Sequence, residues 1–133
     1  MLLDTHAHYD DEAFDADRDT LLESLKEYGI RKVINAGASV ESSYTGLKLA
    51  ERYPWVYAAL GAHPNYVEEL NETVLKDFAA LAKHPKVVAI GEIGLEYHYE
   101  EPLRDVQKIW FRRQLDLAAE TGLPVIIHSR EAA

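Results

Sequence analysis

The sequence contains no cysteine among its 133 residues. This absence excludes disulfides, thiolate nucleophiles, Cys-x-x-Cys zinc sites and iron–sulfur clusters, and it fits a reducing compartment. The chain also lacks any run of about 18 apolar residues, and Met1 is followed by Leu2, Leu3 and Asp4 without a basic leader segment. We therefore expect neither a membrane-spanning segment nor a secretory signal, and we predict a cytoplasmic protein.

Positive charge is scarce as well. The chain has 14 lysines and arginines against 23 aspartates and glutamates, which gives a formal net charge of −9. This balance disfavours electrostatic binding of nucleic-acid phosphates, because such binding depends on lysine and arginine side chains. If the protein handles phosphate groups, we expect metal ions to supply the positive charge. The remaining composition, 47% hydrophobic and 28% charged, is typical of one globular domain.

Five short apolar runs alternate with four amphipathic patterns of helical spacing. The predicted strands span residues 2–8, 32–36, 55–63, 87–95 and 124–129. The predicted helices span residues 14–28, 40–53, 72–84 and 102–121. Apolar strands separated by amphipathic helices form a parallel sheet that is covered by the helices. The sequence therefore predicts the α/β class.

Capping residues set the limits of these helices. Ser39 and Asn71 are favoured N-cap residues, because their side chains accept hydrogen bonds from free backbone N–H groups. Gly29 and Gly122 follow the first and fourth patterns, where glycine adopts the left-handed conformation that ends a helix. Proline is favoured in the first turn of a helix, so we expect the fourth helix to begin at Pro102.

Histidine and glutamate gather at the predicted carboxyl ends of the strands, where parallel α/β folds place their sites. His6 and His8 are two residues apart in the first strand, so their side chains lie on the same face and both can bind one cation. Glu92 follows the apolar run 87–90, and a buried carboxylate must be paired or coordinate a metal. His128 ends the last strand, although it can also be an ordinary core histidine. These four residues form a mixed nitrogen and oxygen set that suits Zn, Mn or Fe.

Two other residues at strand ends are candidates for binding a substrate. His63 and Arg130 can donate hydrogen bonds to a phosphate, and arginine does so in a bidentate manner. The alternative for His63 is to cap the loop that begins at Pro64. The alternative for Arg130 is to pair with a nearby carboxylate. The aromatic residues 97–99 can stack on a nucleobase or pack on the rim of the fold.

Four segments resemble the TatD-type metal-dependent deoxyribonucleases, which are amidohydrolase-like TIM barrels. They occur in the order of that family at residues 4–8 (DTHAH), 61–64 (GAHP), 91–95 (GEIGL) and 128–132 (HSREA). The resemblance implies a nuclease that uses Mg or Mn and cuts DNA single strands or strand ends. It also implies that His6 and His8 hold one metal ion, that His128 holds a second, and that Glu92 bridges the two ions as the catalytic residue. The cofactors would then be two divalent ions, with Mg, Mn and Zn as the candidates.

The chain departs from this family in two respects. A full barrel needs about 250 residues, so we interpret residues 1–133 as the N-terminal half of a TatD-like barrel. The fold would be a partial (β/α)8 barrel with about five parallel strands and four helices. The implied further metal histidine and late aspartate lie outside it, so we expect weak activity or none. The second departure is Glu96, where the family more often has aspartate.

An open half-barrel would leave two unpaired strand edges and an uncovered inner face of the sheet. Such edges and faces favour pairing with another chain. We therefore expect self-association, for example as a dimer of half-barrels.

Three functions remain open on the sequence alone. The preferred one is a metal-dependent phosphodiesterase with DNA as its substrate. The second is a metal-dependent amidohydrolase that acts on a small amide or lactone. Such relatives often carry a modified lysine at the end of the fourth strand, where this chain has Glu92. The third is a non-catalytic fragment that only folds or only binds metal.

Overall fold

The computed structural model describes residues 1–133, in which five strands alternate with four α-helices. The strands are β1 (Leu2–Ala7), β2 (Ile30–Ala36), β3 (Val56–Leu60), β4 (Val87–Glu96) and β5 (Val125–Arg130). The helices are α1 (Arg18–Ser24), α2 (Val40–Arg52), α3 (Glu72–Leu81) and α4 (Arg104–Thr121). All neighbouring strands pair in parallel, in the order β1-β2-β3-β4-β5. The predicted α/β class and partial barrel of five parallel strands are confirmed.

Four predicted caps occur in the structure. The Ser39 side chain accepts a hydrogen bond from Ser42 N at the start of α2, and Asn71 does the same for Val74 N at the start of α3. Gly29 and Gly122 adopt left-handed backbone angles, with φ of 83° and 71°, where the first and fourth helical segments end. These caps stop the helices and turn the chain back towards the sheet.

The first predicted helix is wrong in its extent. Only Arg18–Ser24 is α-helical, and 3-10 turns at Glu12–Phe14 and Leu25–Tyr28 flank it. The Asp11 side chain caps the first turn by accepting a hydrogen bond from Ala13 N at 2.8 Å. That cap starts a separate turn before α1, and helical spacing of the apolar residues does not reveal it.

The fourth helix begins at Arg104, two residues after Pro102, near which the sequence predicts its start. The Gln107 side chain donates a hydrogen bond to the Pro102 carbonyl at 2.8 Å. A helix that started at Pro102 would use this carbonyl for a backbone N–H. The side chain of Gln107 therefore keeps Pro102 in the preceding loop.

One hydrophobic core of 21 buried residues joins the helices to one face of the sheet. Each helix contributes to it, through Leu22, Leu47, Phe78 and Leu117 in chain order. The edge strands are less covered, since Leu2 of β1 is 60% exposed and Ile127 of β5 is 48% exposed. Self-association through these open regions stays a prediction. None of the helices is both long enough and apolar enough to cross a lipid bilayer.

Candidate metal centre

Glu92 lies at the centre of the four predicted metal ligands. Its Oε2 atom is 3.1 Å from His6 Nε2 and 3.2 Å from His8 Nε2. Its Oε1 atom is 2.9 Å from His128 Nδ1. Burial opposes the ionisation of Glu92, but hydrogen bonds from His8 and His6 outweigh it and lower its pKa to about 2. An ionised carboxylate therefore directs each of its oxygens at different histidines.

Two glycines allow β4 and β5 to approach closely enough for this arrangement. A Cβ atom on Gly91 would lie 2.6 Å from the Cβ of Ile126. Gly94 has a φ of +148°, and a Cβ atom there would lie 1.9 Å from the carbonyl oxygen of His128. Such contacts exclude any side chain at either position. The pair of glycines beside Glu92 thus places β5, and with it His128, against the carboxylate.

The first cluster consists of His6, His8 and Glu92, whose ligand atoms lie within 4.8 Å of one another. His8 Nδ1 lies 3.0 Å from the Ala36 carbonyl, to which it can donate its proton. In that neutral tautomer the lone pair of His8 lies on Nε2, which faces Glu92. The hydrogen bond to Glu92 raises the pKa of His8 in the metal-free chain. A divalent cation and a proton would therefore compete for the space between His8 and Glu92.

The second cluster consists of His63, Glu92 and His128, whose ligand atoms also lie within 4.8 Å of one another. The ring centroids of His63 and His128 are 4.2 Å apart. However, His63 Nδ1 accepts a hydrogen bond from Asn65 N at 3.0 Å, so a neutral ring keeps its proton on Nε2. Burial and the neighbouring His128 lower the pKa of His63, which favours this neutral ring. His63 is therefore a better hydrogen-bond donor than metal ligand, and it also caps the 3-10 turn Pro64–Glu69.

Arg130 does not line the groove that contains His63 and Glu92. Its guanidinium carbon lies 5.8 Å from the centroid of the Tyr99 ring. The two clusters around Glu92 together contain five of the six predicted site residues, and Arg130 belongs to neither cluster. Contact between Arg130 and a substrate stays a prediction.

The groove itself carries negative charge. Asp10, Asp11, Glu41 and Glu69 line it together with three of the histidines, His8, His63 and His128. Asp10 is held in place because the buried Asn35 donates a hydrogen bond to its carboxylate at 2.9 Å. An acidic groove attracts cations and repels phosphate groups that arrive without them. This distribution fits the expectation that bound metal ions supply the positive charge.

The sequence analysis missed a second carboxylate at His128. Glu96 Oε1 lies 3.2 Å from His128 Nε2, on the opposite side of the ring from Glu92. Burial opposes the ionisation of Glu96, but hydrogen bonds from the His98 backbone N–H and from His128 lower its pKa. Its departure from the family pattern was the only signal for this residue, and it did not indicate a role.

Two buried glutamines of α4 were missed as well. Gln107 accepts a hydrogen bond from Glu96 N and donates one to Glu96 O, both at 2.9 Å. Gln114 does the same for Ala62, at 2.8 Å and 3.2 Å, directly before His63. The two glutamines are seven residues apart, so they lie on the same helix face. Two uncharged amides on the buried face of a helix are a signal that could have found them.

Comparisons with known proteins identify relatives of the chain. Residues 3–133 match the family model described as "TatD related DNase". The chain is 39% identical over 132 residues to the "Uncharacterized metal-dependent hydrolase YabD" of Bacillus subtilis (strain 168), covering 99% of this chain and 52% of the relative. It is 34% identical over 120 residues to the "3'-5' ssDNA/RNA exonuclease TatD" of Musicola paradisiaca (strain Ech703), covering 90% and 46%.

The same likeness extends to solved structures. The crystal structure of YjjV, a TatD homolog from Escherichia coli K12, superposes with a TM-score of 0.89 at 36% sequence identity. The match covers 98% of this chain and 51% of that structure. The chain spans about half the length of the curated relatives it matches.

Proposed function

Because the chain belongs to the TatD related DNase family, which includes metal-dependent hydrolases, we propose that it is a metal-dependent phosphodiester hydrolase whose substrate is DNA. Single strands or strand ends would be cut, in keeping with the exonuclease names of several relatives. The observation that carries the proposal is Glu92, a buried carboxylate whose two oxygens face different histidines.

The donor atoms fit divalent metal ions. Three imidazoles and one ionised carboxylate make up the nitrogen and oxygen set that Zn and Mn accept, whereas Mg favours oxygen ligands and water. In this proposal His6, His8 and Glu92 hold one ion, and Glu92 and His128 hold another. Two such ions would supply Lewis-acid activation of water and of a phosphoryl oxygen.

The residues around the ions would bind and orient the substrate. The Nε2–H group of His63 is free to donate a hydrogen bond to a phosphoryl oxygen, because Asn65 occupies Nδ1. Arg130, whose guanidinium lies over the exposed Tyr99 ring, would contact a phosphate farther along a strand. The acidic wall formed by Asp10 and its neighbours would keep the phosphodiester centred on the cations.

We further propose that residues 1–133 correspond to the N-terminal half of the barrel found in these relatives. The match to about half of each relative's length supports this assignment. Ligands that complete the two metal shells would then come from the other half. The chain by itself would be a slow catalyst.

The test measures how the 133-residue chain hydrolyses four different substrates. A labelled single-stranded DNA, its RNA equivalent, an amide and a lactone are incubated with Mn²⁺ or with a chelator. We expect slow cleavage of the DNA that requires the metal and that disappears in Glu92→Gln. Faster hydrolysis of the amide or lactone would support the amidohydrolase alternative. No hydrolysis of any substrate would identify a non-catalytic chain.

A further inference from the structure

Glu96 touches a proposed metal ligand without belonging to either metal cluster. Its carboxylate lies 3.2 Å from His128 Nε2. Glu92 belongs to both clusters and His128 to the second one, whereas Glu96 belongs to neither. The two carboxylates thus face opposite nitrogens of the same imidazole. His128 Nδ1 lies on the side of Glu92, the carboxylate that His6 and His8 also face.

The length of the Glu96 side chain suits this contact. In the register of β4 and β5, His128 pairs with Gly94, and Glu96 pairs with Arg130. Glu96 therefore reaches back along the sheet by two residues, roughly 6–7 Å of strand. An aspartate at this position is one methylene shorter, which reduces that reach.

Glu96 is also held more firmly than an ordinary surface carboxylate. It is 3% exposed, and the backbone N–H of His98 donates to its Oε2 at 3.2 Å. The fully buried Gln107 binds both its backbone N–H and its carbonyl. These contacts hold the backbone of Glu96 and one oxygen of its carboxylate, and the other oxygen faces His128.

We propose that Glu96 is a positioning residue for His128. It accepts the Nε2–H proton of the imidazole and thereby sets the ring so that Nδ1 is the ligand atom on the side of Glu92. Carboxylates that orient metal-binding histidines in this way raise the affinity for the metal. The proposal rests on the metal site of the proposed function. It gives a role to Glu96, the residue at which the chain departs from the family pattern.

The test measures Zn²⁺ affinity by calorimetry and the protonation of the His128 ring by long-range ¹H–¹⁵N NMR. The wild-type, Glu96→Asp and Glu96→Gln chains are compared. Glu131→Gln is the matched control, because Glu131 lies 3.1 Å from the ring of His98 but outside both metal clusters. The zinc-loaded wild type should show a proton on Nε2 and metal on Nδ1 of His128.

We expect Zn²⁺ affinity to fall by about 10–100-fold in both Glu96 variants, the range seen when such orienting carboxylates are removed. Glu96→Asp should also lose the single Nε2-protonated signal, whereas Glu131→Gln should match the wild type. Wild-type affinity and an unchanged His128 signal in folded Glu96 variants would overturn the proposal. Unfolding of both variants would also overturn it, because Glu96 would then serve the fold alone.

The failure of this proposal is distinguishable from failure of the proposed function. If the wild-type chain binds no Zn²⁺ at all, both fail. If it binds Zn²⁺, and Glu92→Gln abolishes binding while the Glu96 variants do not change it, only the role of Glu96 is wrong.

Discussion

The two clusters that share Glu92 are supported in different ways. His6 lies on the edge strand β1 and His8 directly follows its end, and the register with β2 is irregular between Asp4 and Ala7. Their side chains are 39% and 37% exposed, compared with 22% for His128. The chief anchor of the first cluster is a single carbonyl, that of Ala36.

Two buried glutamines of α4 support the second cluster through hydrogen bonds. Gln114 fixes the backbone before His63, and Gln107 fixes Glu96, which contacts His128. Sites whose ligands are locked by packing and hydrogen bonds are preorganised, whereas exposed ligands on an edge adjust as they bind. If the clusters bind metal as proposed, the second cluster would be shaped before the ion binds, whereas the first would be completed by the ion.

The largest effect is expected from Glu92→Gln, because this residue joins both clusters. The amide keeps the shape of the side chain but removes the charge that two histidine sets face. Calorimetric titration with Zn²⁺ should show a loss of affinity greater than the roughly 100-fold attributed to orienting residues. His6→Ala and His128→Ala should each remove one binding event only. Near-wild-type binding by Glu92→Gln would show that the clusters are independent of it.

The next largest effect is expected on the free energy of unfolding, when the hydrogen bonds of Gln114 are removed. Gln114→Leu leaves the N–H and carbonyl of the buried Ala62 without partners. An unsatisfied buried group costs about 1–3 kcal/mol, so the free energy of unfolding should fall by at least that amount in urea titrations. Removing His6, by contrast, should leave stability nearly unchanged. Equal losses of unfolding free energy in the two variants would show that hydrogen bonds from α4 do not distinguish the second cluster from the first.

A smaller effect is expected in the pH titration of two histidines in the metal-free chain. The hydrogen bond to Glu92 raises the pKa of His8 above its usual 6.5, and burial and His128 lower that of His63. The stability due to His8 is present below pH 6.5 and is lost as the pH rises through its raised pKa. The contribution of His63 has the opposite sign, because it is present above pH 6.5 and lost as the pH falls through its lowered pKa. NMR titration that found the same pKa for both rings would contradict the contrast.

The smallest effect is expected from Arg113→Ala, next to Gln114 on the same helix. Arg113 pairs with Glu72 at the surface, with both side chains well exposed. Surface ion pairs contribute little to stability, so neither urea unfolding nor Zn²⁺ binding should change measurably. A clear loss of metal affinity would mean that α4 as a whole, and not its two glutamines, supports the second cluster.

The contrast between the clusters also explains what the sequence could predict. The proximity of His6, His8, Glu92 and His128 can be predicted, because strand alternation and strand ends bring such residues to one edge. The family resemblance and the parallel sheet were confirmed. The metal-binding roles of these residues stay predictions.

The sequence revealed less of what surrounds the ligands. Glu96 reaches His128 only through the register of β4 on β5, and Gln107 reaches Glu96 only through the packing of α4. Neither relation is encoded in a local pattern. The same limit applies to the first helix, where the apolar pattern 14–28 is divided among the end of one 3-10 turn, the short helix Arg18–Ser24 and a second 3-10 turn, Leu25–Tyr28.

The central claim is that Glu92 joins two metal sites. The most direct measurement is anomalous X-ray scattering from crystals soaked in Mn²⁺. The account predicts two anomalous peaks, one between Glu92 and the pair His6 and His8, the other between Glu92 and His128, separated by about 3.5–4 Å as in two-metal hydrolases. A single peak away from Glu92, or no peak near it, would contradict the account.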